Sequence, residues 1–556
     1  MINFSSNNII SSSRQGVKVQ NTKKQDVTPQ NKVVEQFKPN STLLSAWTTK
    51  TTSIYNPDKS PINQDGSVSL KIGYLNDVHG QYLKLTKIGN ALRDCDIRFS
   101  GGDNMIGDDR NENVNKCIVK YFDSENFESS AVGNHDVDGS EEMFLKLTQD
   151  AKMKYLAANF KQSAASKMSP DAKAGKEMDE RIVDSYVGDY KGVKYGVIGV
   201  APCDMKTRMT HPELYTDFEI DDLPKTITEV QKEVDKLKNE DGVNIIFLLS
   251  HAGHFTDREI AQETSGVDVI IGGHSHTYVD GVKEGENLFA SKTGEPVIIT
   301  NAEKDGNYFG KLDITFNKDG VITHANNNLF ETSKCRKNMI YKKMFDDIIG
   351  EPEKLGKIGN VIPAPKQRLT EESAHANFVA KAIREEMGVD IGIVNAGNIR
   401  NQFEPGSFDT SDAKSISPFG DGMAIVTINE KDLVDGIKHG CKSVTDKNGK
   451  PGLYYAAGLT YSVKKSTGEL LEMTYTDREG NQRKIDVNNP DPNKTYRIGA
   501  DDYILRGGDG ATPFNHLDEA EAIFEYSEDK LISDYVKHHN GQPVNIDELG
   551  IINVID

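Results

Sequence analysis

Five short apolar runs in the first half of the chain each end in a loop that combines glycine with Asp, Asn or His. The runs, such as residues 68–74, have the length or the alternation of buried strands. Stretches between them, such as residues 223–237, carry apolar residues at helical spacing. This order of strands and helices predicts a layered α/β domain. The loops that follow the strands are residues 76–80, 101–104, 133–136, 250–253 and 272–276.

The polar side chains of these loops are suited to binding metal ions. In open α/β sheets, ligands bind beyond the carboxyl ends of the strands, where the five loops would meet. Glycines in the loops permit sharp turns and a close approach of the backbone. Carboxylate, amide and imidazole ligands without thiolate suit Zn, Mn, Fe or Co better than Ca. A lone Asp-X-His or Asn-His is more often an ordinary loop, so the predicted metal centre rests on all five loops occurring in order.

The length of 556 residues predicts more than one domain, because a single hydrophobic core stops growing below that size. We expect a flexible polar tail over residues 1–65 and a catalytic domain over residues 66–330. Residues 331–365 show a helical pattern followed by several Gly and Pro residues, which predicts a helix and an interdomain linker. Residues 366–556 continue as mixed strands and helices and would form a second α/β domain.

Composition and charge narrow the class of partner. The formal net charge of -19 disfavours sequence-independent binding to DNA or RNA, because an acidic surface repels phosphate backbones. A small phosphorylated substrate can still bind where metal ions or arginines offset the negative potential of the surface. No apolar stretch is long enough to predict a membrane span, and no protein partner is evident.

The five cysteines are scattered and odd in number, so they predict buried thiols rather than a disulfide framework. The polar start of the chain lacks the apolar core of a secretory signal. A cytoplasmic location is therefore the default expectation.

Taken together, the five loops resemble the signature of calcineurin-like metallophosphoesterases. Their order, with a second domain after them, resembles the 5'-nucleotidase family, which includes the UDP-sugar hydrolases and whose members are often exported. The resemblance covers residue 70 to the C-terminus. It implies a four-layer β-sandwich flanked by helices, followed by a C-terminal α/β nucleotide-binding domain.

The resemblance also implies roles for particular residues. Two divalent ions would share Asp103, and by lowering the pKa of bound water they would supply a hydroxide nucleophile that attacks phosphorus. His135 and Asp138 match the catalytic pair of the family, with His135 stabilising the transition state or protonating the leaving group. The implied metal ligands are Asp77, His79, Asp103 and His276 for one ion, and Asp103, Asn134, His251 and His274 for the other.

Three segments of the second half resemble the family's substrate-binding segments. Phe419 and Tyr503 would stack on a nucleotide base, which is worth about 1–3 kcal/mol per base. Arg400 would bind phosphate or ribose, Asp509 the ribose hydroxyls, and Asn395 the base or ribose.

This chain departs from the family at two points. Ala396 and Asn398 replace glycines of the usual Asn-Gly-Gly-Gly-Ile-Arg, and Glu371 stands where an arginine is usual. Arg368, three residues earlier, is the expected substitute for that arginine.

These residues predict a phosphoesterase that hydrolyses nucleoside 5'-monophosphates. A 2',3'-cyclic nucleotide phosphodiesterase or a UDP-sugar pyrophosphohydrolase could use the same metals, and these alternatives stay open. A non-catalytic nucleotide-binding protein of the same fold predicts eroded ligands, whereas all seven ligand positions are filled here.

Overall fold

The computed structural model describes residues 60–107, 111–167, 173–208, 217–447, 449–524 and 526–556. The predicted tail, up to residue 59, lies outside the described residues. No described helix is both long enough and apolar enough to cross a lipid bilayer.

The first domain contains fifteen strands and eight helices among its described residues. In chain order the strands are β1 (Val68–Leu75), β2 (Ile97–Ser100), β3 (Ser129–Ala131), β4 (Lys154–Leu156), β5 (Phe160–Gln162), β6 (Ile182–Val183), β7 (Ser185–Tyr190), β8 (Val193–Val200), β9 (Phe218–Ile220), β10 (Ile246–Ser250), β11 (Val269–Gly272), β12 (Leu288–Ala290), β13 (Pro296–Thr300), β14 (Tyr308–Phe316) and β15 (Ile322–Glu331). The helices are α1 (Tyr82–Ile88), α2 (Glu112–Ser124), α3 (Glu141–Thr148), α4 (Ala164–Lys167), α5 (Lys173–Arg181), α6 (Leu223–Asn239), α7 (His254–Glu263) and α8 (Met339–Ile349).

Two sheets stack face to face in this domain. Their strand orders are β15-β14-β1-β2-β3-β4-β6 and β12-β13-β11-β10-β8-β7. Large apolar side chains from both sheets, including Tyr74, Phe99 and Phe247, fill the space between them. Helices α1, α2, α3 and α8 cover the outer face of the first sheet, and α6 and α7 cover that of the second. The four-layer sandwich expected from the sequence is confirmed.

The direction of the strands places the five polar loops at one edge. Strands β1, β2 and β3 are parallel neighbours in the first sheet, and β10 and β11 are parallel neighbours in the second. The carboxyl ends of parallel strands meet at the same edge of a sheet. A Cβ built on Gly273, in the loop after β11, would lie 2.5 Å from the Gly101 carbonyl oxygen in the loop after β2. Glycine therefore lets loops from the two sheets touch.

The second domain contains twelve strands and five helices among its described residues. The strands are β16 (Lys354–Val361), β17 (Ile391–Asn395), β18 (Gly406–Asp409), β19 (Met423–Asn429), β20 (Tyr454–Ala457), β21 (Leu459–Lys464), β22 (Glu469–Thr476), β23 (Gln482–Ile485), β24 (Thr495–Asp501), β25 (Ala522–Phe524), β26 (Val544–Ile546) and β27 (Ile552–Ile555). The helices are α9 (Ala374–Met387), α10 (Thr410–Ile416), α11 (Glu430–Cys441), α12 (Asp502–Leu505) and α13 (Glu528–His538).

A five-stranded sheet with the order β20-β17-β24-β19-β25 forms the centre of this domain. Helix α9 packs on β17 and β20, and α11 packs on β19 and β20. Sheets of four strands (β23-β22-β21-β27) and three strands (β18-β16-β26) complete the domain around one buried core. The predicted C-terminal α/β domain is thus present.

The predicted linker is more ordered than its Gly and Pro content indicates. Helix α8 packs on the first domain through the buried Tyr341 and Phe345. Residues 354–361, expected to be irregular, form β16, which pairs with β18 and β26 of the second domain. Buried Leu355 and Ile358 hold this strand against the core, whereas its glycines and lysines hide the strand pattern in the sequence. Only residues 350–353 lie between the last element of one domain and the first of the next.

Candidate active site

Five of the seven predicted metal ligands have left-handed backbone conformations. Such φ values are uncommon for residues other than glycine, although Asp, Asn and His tolerate them best. Strained backbone of this kind clusters at functional sites, because the surrounding fold must enforce it. The φ angles are 50° at Asp77, 48° at His79, 52° at Asp103, 68° at His274 and 54° at His276.

The side chains of these residues converge in two adjoining groups. Ligand atoms of Asp77, His79 and His276 lie within 4.8 Å of one another, and so do those of Asp103, His251 and His274. In the first group, His276 Nε2 is 3.3 Å and His79 Nε2 is 3.7 Å from Asp77 Oδ1.

Asp103 lies between the two groups. Its Oδ2 atom is 2.9 Å from His251 Nε2 and 3.6 Å from His79 Nε2. One carboxylate thus faces ligands of both groups, as a residue shared by two ions must. Asn134 follows the neighbouring strand β3, and its side chain is buried beside them.

Buried atoms without partners show that the residues fit bound cations. His79 Nε2 and Asn134 Oδ1 are buried and have no hydrogen-bond partner, and the buried His251 Nε2 faces the shared carboxylate of Asp103. An unpaired buried polar atom is costly unless something binds it. The second ring nitrogens are occupied, since His79 Nδ1 lies 2.9 Å from Asp305 Oδ1 and His251 Nδ1 lies 2.6 Å from the Gly101 carbonyl oxygen. Imidazoles held in this way direct the other nitrogen at a metal.

The charges of the site also suit cations. Burial raises the pKa of Asp77, but the neighbouring His276 and His251 outweigh it and hold the pKa at about 2. Asp103 is buried too, and His251 and His135 hold its pKa well below the usual range. Both carboxylates are therefore ionised at neutral pH. Together with imidazole and amide donors, they fit Zn, Mn, Fe or Co.

Two positioning residues were missed in the sequence. The Asp136 carboxylate accepts hydrogen bonds from the backbone N–H groups of Asp103, Asn104, Met105 and Gly133, at 2.9, 3.0, 3.0 and 3.0 Å. It therefore ties two ligand loops together. Asp305, which fixes His79, lies in the turn after β13 with φ 53°. Strand β13 is a sixth apolar strand that ends in polar residues, and this pattern in the sequence could have indicated Asp305.

The two residues of the predicted catalytic pair lie in contact. His135 Nδ1 lies 2.5 Å from Asp138 Oδ2 across a single 3-10 turn, and the Asp138 side chain is buried. The His135 backbone N–H donates to Asp103 Oδ1 at 2.8 Å. Burial lowers the pKa of His135, but the carboxylates of Asp138 and Asp103 outweigh it and raise the pKa above its usual value. The positive charge of bound cations would oppose this rise.

Replacing His135 by Asn should lower kcat by roughly 10²- to 10⁴-fold, the usual contribution of a general acid. His135 also offers a ring nitrogen within 4.8 Å of ligand atoms of His79 and Asp103, but its Nδ1 atom is hydrogen-bonded to Asp138. We therefore expect metal content, measured by elemental analysis, to stay unchanged. Asp138→Asn should give a smaller loss. His538→Asn, at a largely exposed histidine bonded to Glu386, serves as the control and should leave kcat unchanged. Full activity of His135→Asn would remove this residue from the mechanism.

One cavity of about 110 Å³ joins the metal residues to the second domain. Four of the seven predicted metal ligands line it from one side, and five of the six predicted substrate residues line it from the other. Its walls include Asp103, Asn134, His135, His274, His276, Asn395, Arg400, Phe419, Tyr503 and Asp509.

Arg400 links the two sides of the cavity. Its guanidinium carbon lies 4.7 Å from the centre of the Phe419 ring, and its Nη1 atom lies 3.5 Å from Asp305 Oδ1. The Phe419 ring centre is in turn 5.5 Å from that of His135. Across the cavity, the Tyr503 hydroxyl accepts a hydrogen bond from the Asp509 backbone N–H at 3.1 Å.

Arg368 lies outside this cavity, unlike the other predicted substrate residues. Its Nη1 atom donates to the carbonyl oxygens of Ala396 and Gly397, both at 3.2 Å, and to that of Ile399. It thus supports the loop that carries Arg400 and lines a neighbouring cavity of about 210 Å³.

The two departures from the family pattern have structural accounts. Glu371 is exposed, and its carboxylate accepts from the Gln367 backbone N–H at 3.4 Å, so it does not face the metal residues. Asn398 is buried at the wall of the cavity, and its Nδ2 atom donates to Asp501 Oδ2 at 2.8 Å.

Comparison with known proteins agrees with both halves of the structure. Residues 70–278 match the calcineurin-like phosphoesterase family, and residues 354–519 match the 5'-nucleotidase, C-terminal domain family. A trifunctional nucleotide phosphoesterase protein of Bacillus subtilis is 25% identical over 514 residues, a match that covers 84% of this chain and 34% of that protein. The chain thus spans about a third of that relative.

Two further relatives match over most of their own length. A 5'-nucleotidase of Vibrio cholerae is 23% identical over 512 residues, covering 80% of this chain and 86% of that protein. The structure of a 5'-nucleotidase precursor from Thermus thermophilus has a TM-score of 0.71 at 18% identity, covering 88% of this chain and 99% of that one. The latter similarity concerns the fold. The chain therefore contains a calcineurin-like phosphoesterase domain followed by a 5'-nucleotidase C-terminal domain, and it is a metal-dependent phosphoester hydrolase.

Proposed function

We propose that the protein hydrolyses nucleoside 5'-monophosphates to nucleosides and phosphate. The observation that carries this proposal is the single cavity that Asp103 and His135 share with Arg400, Phe419 and Tyr503. A phosphate bound at the metal residues would place its nucleoside against the aromatic side chains of the second domain. The names of the Bacillus and Vibrio relatives support a nucleotide substrate.

The roles follow from the arrangement of the side chains. Cations held by the two ligand groups would supply Lewis-acid charge and a water nucleophile at neutral pH. With Nδ1 bonded to Asp138, His135 would carry its second proton on Nε2 and could protonate the leaving alkoxide from the wall of the cavity. Arg400 offers a fixed positive charge for phosphate. Asp509 offers a carboxylate that can accept from ribose hydroxyls.

Release of inorganic phosphate from a panel of esters tests this function. We expect nucleoside 5'-monophosphates to have the highest kcat/KM, above 2',3'-cyclic nucleotides and UDP-sugars. Preference for a cyclic nucleotide or a sugar nucleotide would transfer the proposal to that substrate class. No release from any ester by metal-loaded protein would favour the non-catalytic reading.

Replacing Phe419 or Tyr503 by Ala should raise the KM for nucleotides by roughly 5- to 150-fold, the equivalent of one lost stacking contact. The kcat/KM for p-nitrophenyl phosphate should change little, because its phosphate needs only the metal residues and His135. Steady-state kinetics with both substrates make the comparison.

The control for this prediction is Phe524→Ala. Phe524 is a half-buried aromatic residue of the same domain, stacked on Tyr526 and outside the cavity. The Phe524→Ala variant should keep the wild-type kcat/KM for both nucleotides and p-nitrophenyl phosphate. If Phe419→Ala harms p-nitrophenyl phosphate and nucleotides equally, the ring supports the fold or His135 rather than the base.

A further inference from the structure

Two carboxyl groups lie buried together behind the predicted nucleoside site. Asp501 ends β24 and is fully buried, and Glu528 begins α13 with 2% of its surface exposed. Among the described residues, no Lys, Arg or His lies within ion-pairing distance of either group. Isolated buried carboxylates are costly, so such groups are paired or neutralised by protons.

The pair is hydrogen-bonded to three separate segments of the second domain. Asn398 Nδ2 donates to Asp501 Oδ2 at 2.8 Å and to Glu528 Oε1 at 3.0 Å. Ser417 Oγ donates to Glu528 Oε2 at 2.8 Å. The Ile504 backbone N–H donates to Asp501 Oδ1 at 2.7 Å and so caps α12.

Each of these segments carries a predicted substrate residue. Asn398 lies in the loop that holds Arg400, Ser417 lies two residues before Phe419, and α12 contains Tyr503. The three segments that carry Arg400, Phe419 and Tyr503 are therefore joined through one acidic pair.

The pair must hold a proton at neutral pH. Both groups accept from the same Asn398 amide, which brings their oxygens close, and two adjacent carboxylates cannot both ionise cheaply. Burial raises the pKa of Asp501, helped by Glu528, and burial raises that of Glu528. The other titratable groups that face the pair are two acids and two tyrosines, and none of them can add a positive charge. They are Asp421, Asp502, Tyr454 and Tyr503.

We propose that Asp501 and Glu528 are positioning residues that share one proton and thereby hold Arg400, Phe419 and Tyr503 in place for nucleoside binding. The proposal rests on the nucleotidase function proposed above. Loss of the shared proton at alkaline pH leaves two buried carboxylates that repel each other. The three segments then separate, and nucleoside binding weakens while the metal residues, in the other domain, stay in place.

Kinetics as a function of pH test this proposal with wild-type enzyme and Glu528→Gln. The Gln Oε1 atom can still accept from Asn398 Nδ2, and its Nε2 group can donate to the Ser417 hydroxyl, which accepts as well as donates, so the variant removes the titrating charge but keeps these bonds. The readout is the ratio of kcat/KM for a nucleoside 5'-monophosphate to that for p-nitrophenyl phosphate, because this ratio cancels titration of the metal residues. In wild type we expect the ratio to fall about 10-fold between pH 6 and pH 9 through a rise in the nucleotide KM, equivalent to one weakened stacking contact.

In Glu528→Gln the ratio should stay constant across this range and match wild type at pH 6. Asp501→Asn should behave in the same way, which guards against a folding defect in one variant. Asp529→Asn is the control. It alters the neighbouring carboxylate of α13, which pairs with Lys414, and the ratio should depend on pH as it does in wild type.

A pH-dependent ratio that is the same in wild type and in both pair variants would overturn the proposal. So would a ratio that is constant in wild type. If the wild-type enzyme cleaves p-nitrophenyl phosphate but no nucleotide, the nucleotidase function fails and the positioning role fails with it. Nucleotide turnover with an unaltered pH profile in the variants overturns the positioning role alone.

Discussion

Replacing Asp103 by Asn should lower kcat/KM by about 10³-fold for every phosphate ester, the equivalent of about 4 kcal/mol of transition-state stabilisation. Asp103 is the carboxylate that faces both ligand groups, so its charge is lost to both ions at once. Asn keeps the shape of the side chain and tolerates the φ of 52° at this position. Elemental analysis should show fewer than two ions per chain in the variant.

Asp305→Asn is the matched comparison for this prediction. It removes a carboxylate that contacts His79 without belonging to either ligand group. A residue that orients a metal ligand is typically worth about 10- to 100-fold in metal affinity or activity. Equal losses in the two variants, or two tightly held ions in Asp103→Asn, would show that Asp103 is not shared.

Locking the two domains together should reduce nucleotide turnover by about 10²-fold or more, since closed lids commonly gate entry and release. The cavity measures about 110 Å³, whereas ligand pockets of drug size span about 300–1,000 Å³. We therefore expect the domains to move apart to admit a nucleotide. We expect the movement at residues 350–353, where Gly350 has φ 94° and no neighbour would meet a side chain.

Gln81 and Ser415 offer a place for the lock. Gln81 belongs to the first domain, and its Nε2 atom donates to the Ser415 carbonyl oxygen of α10 at 2.7 Å. Cysteines at both positions, joined by a short reducible bridge during turnover, should stop hydrolysis, and reduction should restore it. Cys203 and Cys335, which are partly exposed, should be replaced by Ser in every protein compared.

The single-cysteine variants Gln81→Cys and Ser415→Cys control for the substitutions themselves. Each should keep normal turnover in the presence of the bridging reagent. Normal turnover of the bridged double variant would mean that the domains need not separate.

The sequence predicted the elements whose signals are local. Strands and loops of the metal site follow from apolar runs that end in Gly with Asp, Asn or His, and the structure brings Asp77, His79, Asp103, His251 and His276 together as expected. Helices α6 and α8 follow from apolar periodicity, and Asn338 caps α8 by accepting from the Ile340 backbone N–H.

Features that depend on contacts between distant segments were not predictable. Asp305 acts through His79, which precedes it by more than two hundred residues in the chain. Arg368 was expected at the substrate, whereas its guanidinium donates to the backbone carbonyls of Ala396 and Gly397, which are 28 and 29 residues further along the chain. Strand β16 is held by pairing with β18 and β26, which its own Gly- and Lys-rich sequence does not indicate.

The left-handed ligand residues restrict how this site can evolve or be redesigned. Asp, Asn and His are the side chains that tolerate such backbone best, apart from glycine. Exchange among these three can retune charge and metal preference while the loops keep their shape. Cysteine or glutamate at the same positions would add backbone strain to any change in chemistry. The loops thus confine the centre to hard and intermediate donors, and a thiolate-rich site would require new loops rather than new side chains.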